Sequence, residues 1–137
     1  NTMRRFSISL PDDLVSKFDN FIRKSGYFNR SKVIADLIKQ ELIKEQWREN
    51  KEVAGAITLV YNHHKRDLLN KLTDIQHNFK KIIISTQHIH LDKNNCLEII
   101  AIRGLSKEVK RLADTLKSIK GIKHNVLSMS SIGKDIE

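Results

Sequence analysis

Between Arg4 and Leu10 the chain alternates polar and apolar residues. The two kinds of position carry different side chains, Arg5, Ser7 and Ser9 on one and Phe6, Ile8 and Leu10 on the other. Alternation with a period of two predicts a strand with one polar and one apolar face.

Two helices are predicted after that strand. Pro11 suits the first position of a helix, and the two aspartates that follow suit its positive N-terminal end. Apolar residues then recur at helical spacing as far as Gly26, a residue typical of helix ends. A second helix is predicted to begin near Asn29–Ser31, where either end residue can cap it, and to end around Trp47.

The rest of the chain follows a different order, β-α-β-β-α-β. The predicted segments are Val53–Tyr61, His64–Phe79, Lys81–Leu91, Cys96–Arg103, Leu105–Ile119 and Ile122–Met129. This order is typical of the ferredoxin-like fold. We therefore predict an α+β protein in which residues 1–48 form a β-α-α domain, residues 49–53 a polar linker, and residues 54–137 a ferredoxin-like domain.

One strand and two helices bury too little surface to fold alone. The simplest solution is a dimer in which the two N-terminal strands pair antiparallel, with their apolar faces toward the helices. Arg5, Ser7 and Ser9 then face outward on a two-stranded ribbon, which fits the major groove of DNA. Arginine can form two hydrogen bonds to guanine, and serine can donate or accept one. The alternative is an ordinary solvated strand face.

From Arg4 to about Trp47 the chain resembles the ribbon-helix-helix family of DNA-binding proteins. The likeness includes the turn at residues 26–31, Gly-Tyr-Phe-Asn-Arg-Ser, where the second helix of this family starts on the DNA backbone. It implies that the polar strand residues read base edges and that Arg30 and Ser31 contact the backbone, since helix N-termini bind phosphates. An antitoxin can share this domain, so it does not identify the function alone.

Net charge and cysteine content limit which partners and which compartment are expected. The net charge of +9 and the pI of about 9.8 fit a polyanionic partner, although a basic protein without one fits equally well. Cys96 is the single cysteine, which excludes a disulfide within the chain and favours a reducing compartment, so we expect a cytoplasmic protein. The longest apolar runs are shorter than the roughly 18 residues that span a membrane.

Residues of the types that bind metals cluster around the predicted hairpin. His88 and His90 are two positions apart on a strand, so their side chains share one face. With the turn centred near Lys93, His90 lies opposite Cys96 and His88 lies opposite Glu98. Two imidazoles and one thiol therefore converge. Such a set suits tetrahedral zinc, whereas tetragonal or square-planar coordination points to copper(II) or nickel(II), so the pattern leaves the metal open.

His77 needs a separate argument because it lies on the preceding helix. The apolar stripe of that helix is formed by Leu68, Leu72, Ile75 and Phe79. At about 100° per residue, His77 falls roughly opposite this stripe and faces solvent or another subunit. Taken singly it is an ordinary surface histidine. As a fourth ligand it would place the metal between two chains.

These spacings resemble the family of nickel-responsive transcriptional regulators, and with the N-terminal domain the likeness covers almost the whole chain. It implies that His88, His90 and Cys96 bind nickel with His77 of a neighbouring chain, giving one Ni2+ per chain with ligands from two chains. It also implies that the second domain is ACT-like and that the protein is a homotetramer, a dimer of dimers. The expected function is repression of nickel-uptake genes by binding a palindromic operator in double-stranded DNA when nickel is loaded.

Other residues are candidates for roles around this site. Tyr61, Gln76 and Glu98 are candidates to orient the ligand imidazoles, and plain packing or solvent contact explains them equally well. His63 and His64 are predicted to be surface residues.

One position departs from the family pattern. The residue after the Arg-Ser start of the second helix is usually acidic in the family and pairs with an aspartate one turn later in a second, weaker cation site. Here the pair is Lys32 and Asp36. A lysine ammonium could replace the cation, or the site could be absent.

Two other functions remain to be separated from nickel-dependent regulation. The first is a regulator whose ferredoxin-like domain responds to another metal or to an amino acid, against which the His/Cys set argues. The second is a metalloenzyme. The motif has no nucleophile–base pair and no spare acid nearby, and four protein ligands leave no open coordination position, so we expect no enzyme activity.

Overall fold

The computed structural model describes residues 2–137 and has four helices and four strands within them. In chain order these are α1 (Asp12–Ser25), α2 (Arg30–Arg48), β1 (Glu52–Asn62), α3 (Arg66–Asn78), β2 (Ile83–His90), β3 (Asn95–Leu105), α4 (Ser106–Lys117) and β4 (Ile122–Met129). The predicted α+β fold and the β-α-β-β-α-β order of the second domain are confirmed. Within residues 2–137 no helix is both long and apolar enough to cross a membrane.

The N-terminal compact unit extends to Gln40. Its residues 2–11 are exposed and are not assigned to a strand in this single chain, although Arg4–Leu10 was predicted as one. A strand is stabilised and recognised through a hydrogen-bonded neighbour, and the dimer hypothesis takes that neighbour from another chain. Phe6 is accordingly 66% exposed and Ile8 59% exposed. These apolar side chains lack the partner that their alternation predicts.

The ends of α1 and the start of α2 follow local capping rules. Helix α1 begins at Asp12, so Pro11 precedes its first turn rather than occupying the predicted first position. Gly26 ends α1 with a φ of 75°, a left-handed conformation that costs glycine little. The Asn29 side chain accepts a hydrogen bond from the Lys32 backbone N–H at 2.9 Å, which makes Asn29 rather than Ser31 the cap of α2.

The C-terminal compact unit begins at Glu41, inside α2. The last turns of α2 belong to it because Trp47 is 2% exposed and its indole N–H donates to the Ser130 carbonyl at 2.8 Å. Strand β1 begins at Glu52, within the predicted linker, because Val53 is fully buried in the core. The joint between α2 and β1 is therefore shorter than residues 49–53.

The four strands form one antiparallel sheet in the order β2-β3-β1-β4. Helix α4 packs on the sheet and α3 packs against α4. Their buried face meets alternate strand residues, and this core includes Ile57, Leu59, Ile100, Ile102, Leu112 and Leu116. The intervening residues on the opposite face of the sheet, such as Ala56, Val60 and Ile99, are only half-buried.

Candidate metal centre and DNA-binding residues

The β2–β3 hairpin has the predicted register. His88 pairs with Glu98 and His90 pairs with Cys96. Cys96 and Glu98 alternate with half-buried residues along β3 and share its buried face with the core isoleucines. Because directly paired residues share a face, the two histidines lie on the same side of the sheet as the thiol. The predicted register, and with it the shared face of these three ligand-type side chains, is confirmed.

The turn between these strands is fixed by one aspartate. Asp92 Oδ1 accepts the backbone N–H groups of Asn94 and Asn95, each at 2.8 Å. Hydrogen bonds from Asn95 and Asn94 lower the pKa of Asp92 to about 2. The ionised Asp92 carboxylate therefore stabilises the turn. This stabilisation is fully present above the ordinary pKa of an aspartate and is lost as the pH falls through about 2. The predicted turn at 92–95 is confirmed.

Glu98 is 1% exposed and collects hydrogen bonds from the sheet and from α3. The Tyr61 hydroxyl donates to Oε1 at 2.5 Å, and the Gln76 amide donates to Oε2 at 2.5 Å. Burial, followed by the bond to Glu98, raises the pKa of Tyr61 well above its ordinary value, so the phenol remains a donor. Both oxygens of this buried carboxyl group therefore have a hydrogen-bond partner.

The same carboxylate also holds a candidate ligand. His88 Nε2 lies 2.9 Å from Glu98 Oε1. This contact leaves Nδ1 as the nitrogen of His88 that is available to a metal, because the hydrogen bond at one ring nitrogen sets the role of the other. A carboxylate behind a ligand histidine is the usual way in which proteins orient metal-bound imidazoles.

The remaining candidate ligands differ in exposure. Cys96 is 2% exposed, whereas the His88 side chain is 54% exposed and His90 and His77 are also exposed. His77 follows Gln76, which faces Glu98, so His77 points away from that contact. Across residues 2–137, no three His, Cys, Asp or Glu side chains stand close enough together to hold a metal ion. One chain therefore presents the ligand types without assembling a complete site.

His63 was wrongly predicted as a surface residue. It is half-buried, and its ring is stacked on that of His90 with centroids 4.8 Å apart and planes 7° apart. The alternation of β1 indicates this burial, because Tyr61 is buried and His63 follows two positions later on the same face. His64 is exposed, as predicted, and one of its ring nitrogens lies 2.7 Å from the Lys93 carbonyl.

Two family models match the chain. The model described as "NikR C terminal nickel binding domain" matches residues 54–130, and the model described as "Ribbon-helix-helix protein, copG family" matches residues 4–45. The chain belongs to the nickel-responsive regulator family. Members of this family are DNA-binding regulators rather than enzymes, which sets the metalloenzyme hypothesis aside.

Relatives of this nickel-responsive regulator match over nearly their whole length. The protein from Syntrophus aciditrophicus is 55% identical over 95% of both chains. The protein from Chlorobium limicola is 54% identical over 94% of this chain and 96% of its own. The protein from Pyrococcus abyssi is 49% identical over 96% of both chains. Each carries the name "Putative nickel-responsive regulator".

One solved structure is similar in fold to part of this regulator. The uncharacterized protein TM1266 from Thermotoga maritima superposes with a TM-score of 0.53 at 14% identity, covering 58% of this chain and 98% of that chain. At this level of identity the likeness concerns the fold alone.

The predicted DNA-binding residues of the regulator are all exposed. Arg5, Ser7 and Ser9 lie in the N-terminal segment, and Ser31 lies in the first turn of α2. Arg30 differs because its guanidinium forms two hydrogen bonds to Asp19 of α1, at 2.9 and 2.8 Å. This contact lowers the pKa of Asp19. In the free chain the charge of Arg30 is therefore shared with α1, and a phosphate contact requires the arginine to leave Asp19 or to bridge both anions.

Lys32 forms the pair predicted for it. Its ammonium donates to Asp36 Oδ1 at 2.8 Å, and this hydrogen bond raises the pKa of Lys32 and lowers that of Asp36. The side chain of Asp36 thus already has a cation beside it, supplied by the chain one helical turn away.

If the Lys32 ammonium takes the place of the cation in the family's second, weaker site, DNA binding by the regulator should depend little on a monovalent cation such as potassium. Binding should be compared in potassium and sodium salts at equal concentration, because phosphate contacts alone make affinity fall with salt. Lys32→Glu removes the internal cation and should create a preference for one ion. Lys24→Glu, an equal charge change at an exposed residue outside this pair, is the control. A strong potassium requirement in the unmodified protein would contradict the replacement.

Proposed function

We propose that this regulator is a nickel-dependent repressor that binds a palindromic operator in double-stranded DNA and controls nickel-uptake genes in the cytoplasm. The observation that carries the proposal is the hairpin that places His88, His90 and Cys96 on one face, beside the buried carboxylate of Glu98. A reducing compartment suits the proposal because the thiol has to remain free to bind metal.

The donor set fits nickel. Imidazole nitrogens and a cysteine sulfur are donors that nickel can accept, and His88, His90 and Cys96 would hold it. The match of residues 54–130 to a nickel-binding domain favours nickel over zinc. Glu98 contributes by holding His88 through Nε2, which keeps Nδ1 free. Bound nickel would supply a divalent cation, and His88, His90 and Cys96 would be its ligands from this chain.

The fourth ligand is proposed to be His77 of a neighbouring chain, with one Ni2+ for each chain. Two features support this. His77 is exposed on the outside of α3, and within residues 2–137 of one chain no three-ligand cluster is assembled. A second chain that contributes His77 would complete the set at an interface.

A homotetramer, built as a dimer of dimers, would satisfy the apolar surfaces that one chain leaves open. The N-terminal segment exposes Phe6 and Ile8, which the pairing of two ribbons would cover. On the C-terminal unit, Val126 is 44% exposed on the face of the sheet opposite the helices, where a second sheet could pack. Two different interfaces are what a dimer of dimers requires.

The paired ribbon would present Arg5, Ser7 and Ser9 to the major groove, with Arg30 and Ser31 on the phosphates. Arg5→Ala should then cost about 1–3 kcal/mol of specific binding and relax base choice locally. Arg4→Ala is the matched control. Arg4 is next to Arg5 and falls on the other face of the predicted strand, so its loss should change affinity more evenly across sequences. A footprinting titration in which Arg5→Ala retains full specificity would contradict the ribbon.

The proposed function is tested by selection from a pool of randomised DNA duplexes, with nickel and with a chelator. With nickel, the selected sequences should share two half-sites related by a two-fold axis, since operator symmetry mirrors protein symmetry. With the chelator, enrichment should fall to the level of non-specific binding. Equal enrichment of the same sequence under both conditions would contradict nickel dependence, and enrichment only with zinc or copper(II) would assign a different metal.

A further inference from the structure

The His63 ring contacts two other imidazoles beside the β2–β3 hairpin, those of His64 and His90. Its ring is stacked flat on His90, with planes 7° apart, and its other neighbour is the His64 ring, whose centroid is 4.1 Å away. None of the ligand or orienting roles described above uses His63. Parallel rings with this separation attract each other beyond the area they bury, and they restrict rotation of the partner ring.

The backbone around His63 holds the same hairpin. The His63 N–H donates to the Asn94 carbonyl at 2.9 Å, and a ring nitrogen of His64 lies 2.7 Å from the Lys93 carbonyl. The His64 N–H is in turn held by the Asn62 side chain at 2.9 Å. The segment that follows β1 is thus tied to the turn between His90 and Cys96.

The nitrogen of His63 is not what holds its ring. Nε2 is buried and has no hydrogen-bond partner among residues 2–137. An unpaired buried nitrogen is unfavourable, so a hydrogen bond at Nε2 is not what orients this ring. The stacked orientation also argues against shared coordination, because flat parallel rings direct their nitrogens side by side rather than toward one point between them.

We propose that His63 is a positioning residue that sets the ring plane of His90 for metal binding, through stacking and through its backbone bond to the turn. His88 already has a positioning partner in Glu98, whereas His90 is exposed and receives its orientation from His63. A ligand ring that is oriented beforehand loses less freedom when metal binds, so removal of the stack should weaken binding and alter the coordination geometry. The inference rests on the proposed nickel site.

The test uses full-length His63→Ala and His63→Phe, with His124→Ala as the control. His124 is an exposed histidine paired with Val60 on the opposite face of the sheet. Phenylalanine keeps a flat ring and loses no hydrogen bond at Nε2, so it should restore what alanine removes. Nickel affinity is measured by competition with a chelator, the coordination geometry by the thiolate-to-nickel absorption band, and folding by thermal unfolding without metal.

We expect His63→Ala to weaken nickel binding by about 10–100-fold and to shift or broaden the band. His63→Phe and His124→Ala should resemble the unmodified protein. Unchanged affinity and band in His63→Ala would overturn the inference, and so would a loss in folded His63→Phe equal to that of His63→Ala. If His63→Phe does not fold, His63→Tyr supplies the flat ring under the same criteria. Absence of the band in the unmodified protein would instead contradict the nickel site itself, together with this inference.

Discussion

Cys96→Ser is expected to abolish the thiolate-to-nickel absorption band and to weaken nickel binding by more than about 100-fold, a larger loss than changes behind a ligand produce. The reason is chemical, because a hydroxyl is a poor replacement for a soft thiolate and remains protonated at neutral pH. Cys96 is the single cysteine of the chain, so no other thiol can restore the band. The measurement is a nickel titration followed by absorption and by chelator competition.

The control for Cys96→Ser has to exclude loss of the fold. Cys96 is 2% exposed and pairs with Tyr61 across β1 and β3. Its thiol also lies 3.7 Å from the Leu97 carbonyl, which a serine hydroxyl can use as an acceptor. Thermal unfolding without metal should therefore remain close to that of the unmodified protein. If a folded Cys96→Ser variant binds nickel as tightly as the unmodified protein, Cys96 is not a ligand.

The register of the β2–β3 hairpin was predictable from the sequence because local rules determine it. A four-residue turn fixed the register, and the period of a strand then fixed which residues share a face. This register alone places His88 opposite Glu98. The contact between them is a finding of the structure, since a shared face does not specify which atoms meet.

His63 is half-buried, contrary to prediction, because of contacts beyond the strand that it follows. It lies at the junction of β1 and the segment leading to α3, and it was predicted to be a surface residue. The backbone hydrogen bond that ties His63 to the distant turn at Asn94 is a tertiary contact that the alternation of β1 does not specify. The alternation of β1, continued for one more residue beyond its end, would have indicated the buried side.

The end of α2 was also set by tertiary packing. The helix pattern predicted an end near Trp47, and the helix ends at Arg48. The pattern did not indicate that Trp47 packs into the core of the C-terminal unit, where it donates to the Ser130 carbonyl. That contact joins residues 83 positions apart in the sequence, which explains why the compact unit begins inside a helix rather than at a polar linker.

The second prediction with a large expected effect concerns nickel binding by two variants, which are prepared separately and then mixed. His77→Ala and His88→Ala should each lose the four-ligand site when prepared alone. His77→Ala leaves the hairpin intact, and His88→Ala leaves Glu98 with its bonds from Tyr61 and Gln76, so both chains should fold. Nickel bound per chain, measured on each pure oligomer under stringent chelator competition, should fall close to zero.

Mixing the two variants within one oligomer tests directly whether a second chain completes the metal site. At an interface of one chain of each kind, one chain retains His77 and the other retains His88, His90 and Cys96. Chain exchange is verified by native mass spectrometry, and nickel per chain is then measured on the mixed oligomer under the same competition. We predict that intact sites reappear at a fraction of the interfaces, in proportion to the mixed pairs. Proven exchange without any recovery of nickel binding would contradict a site shared between chains.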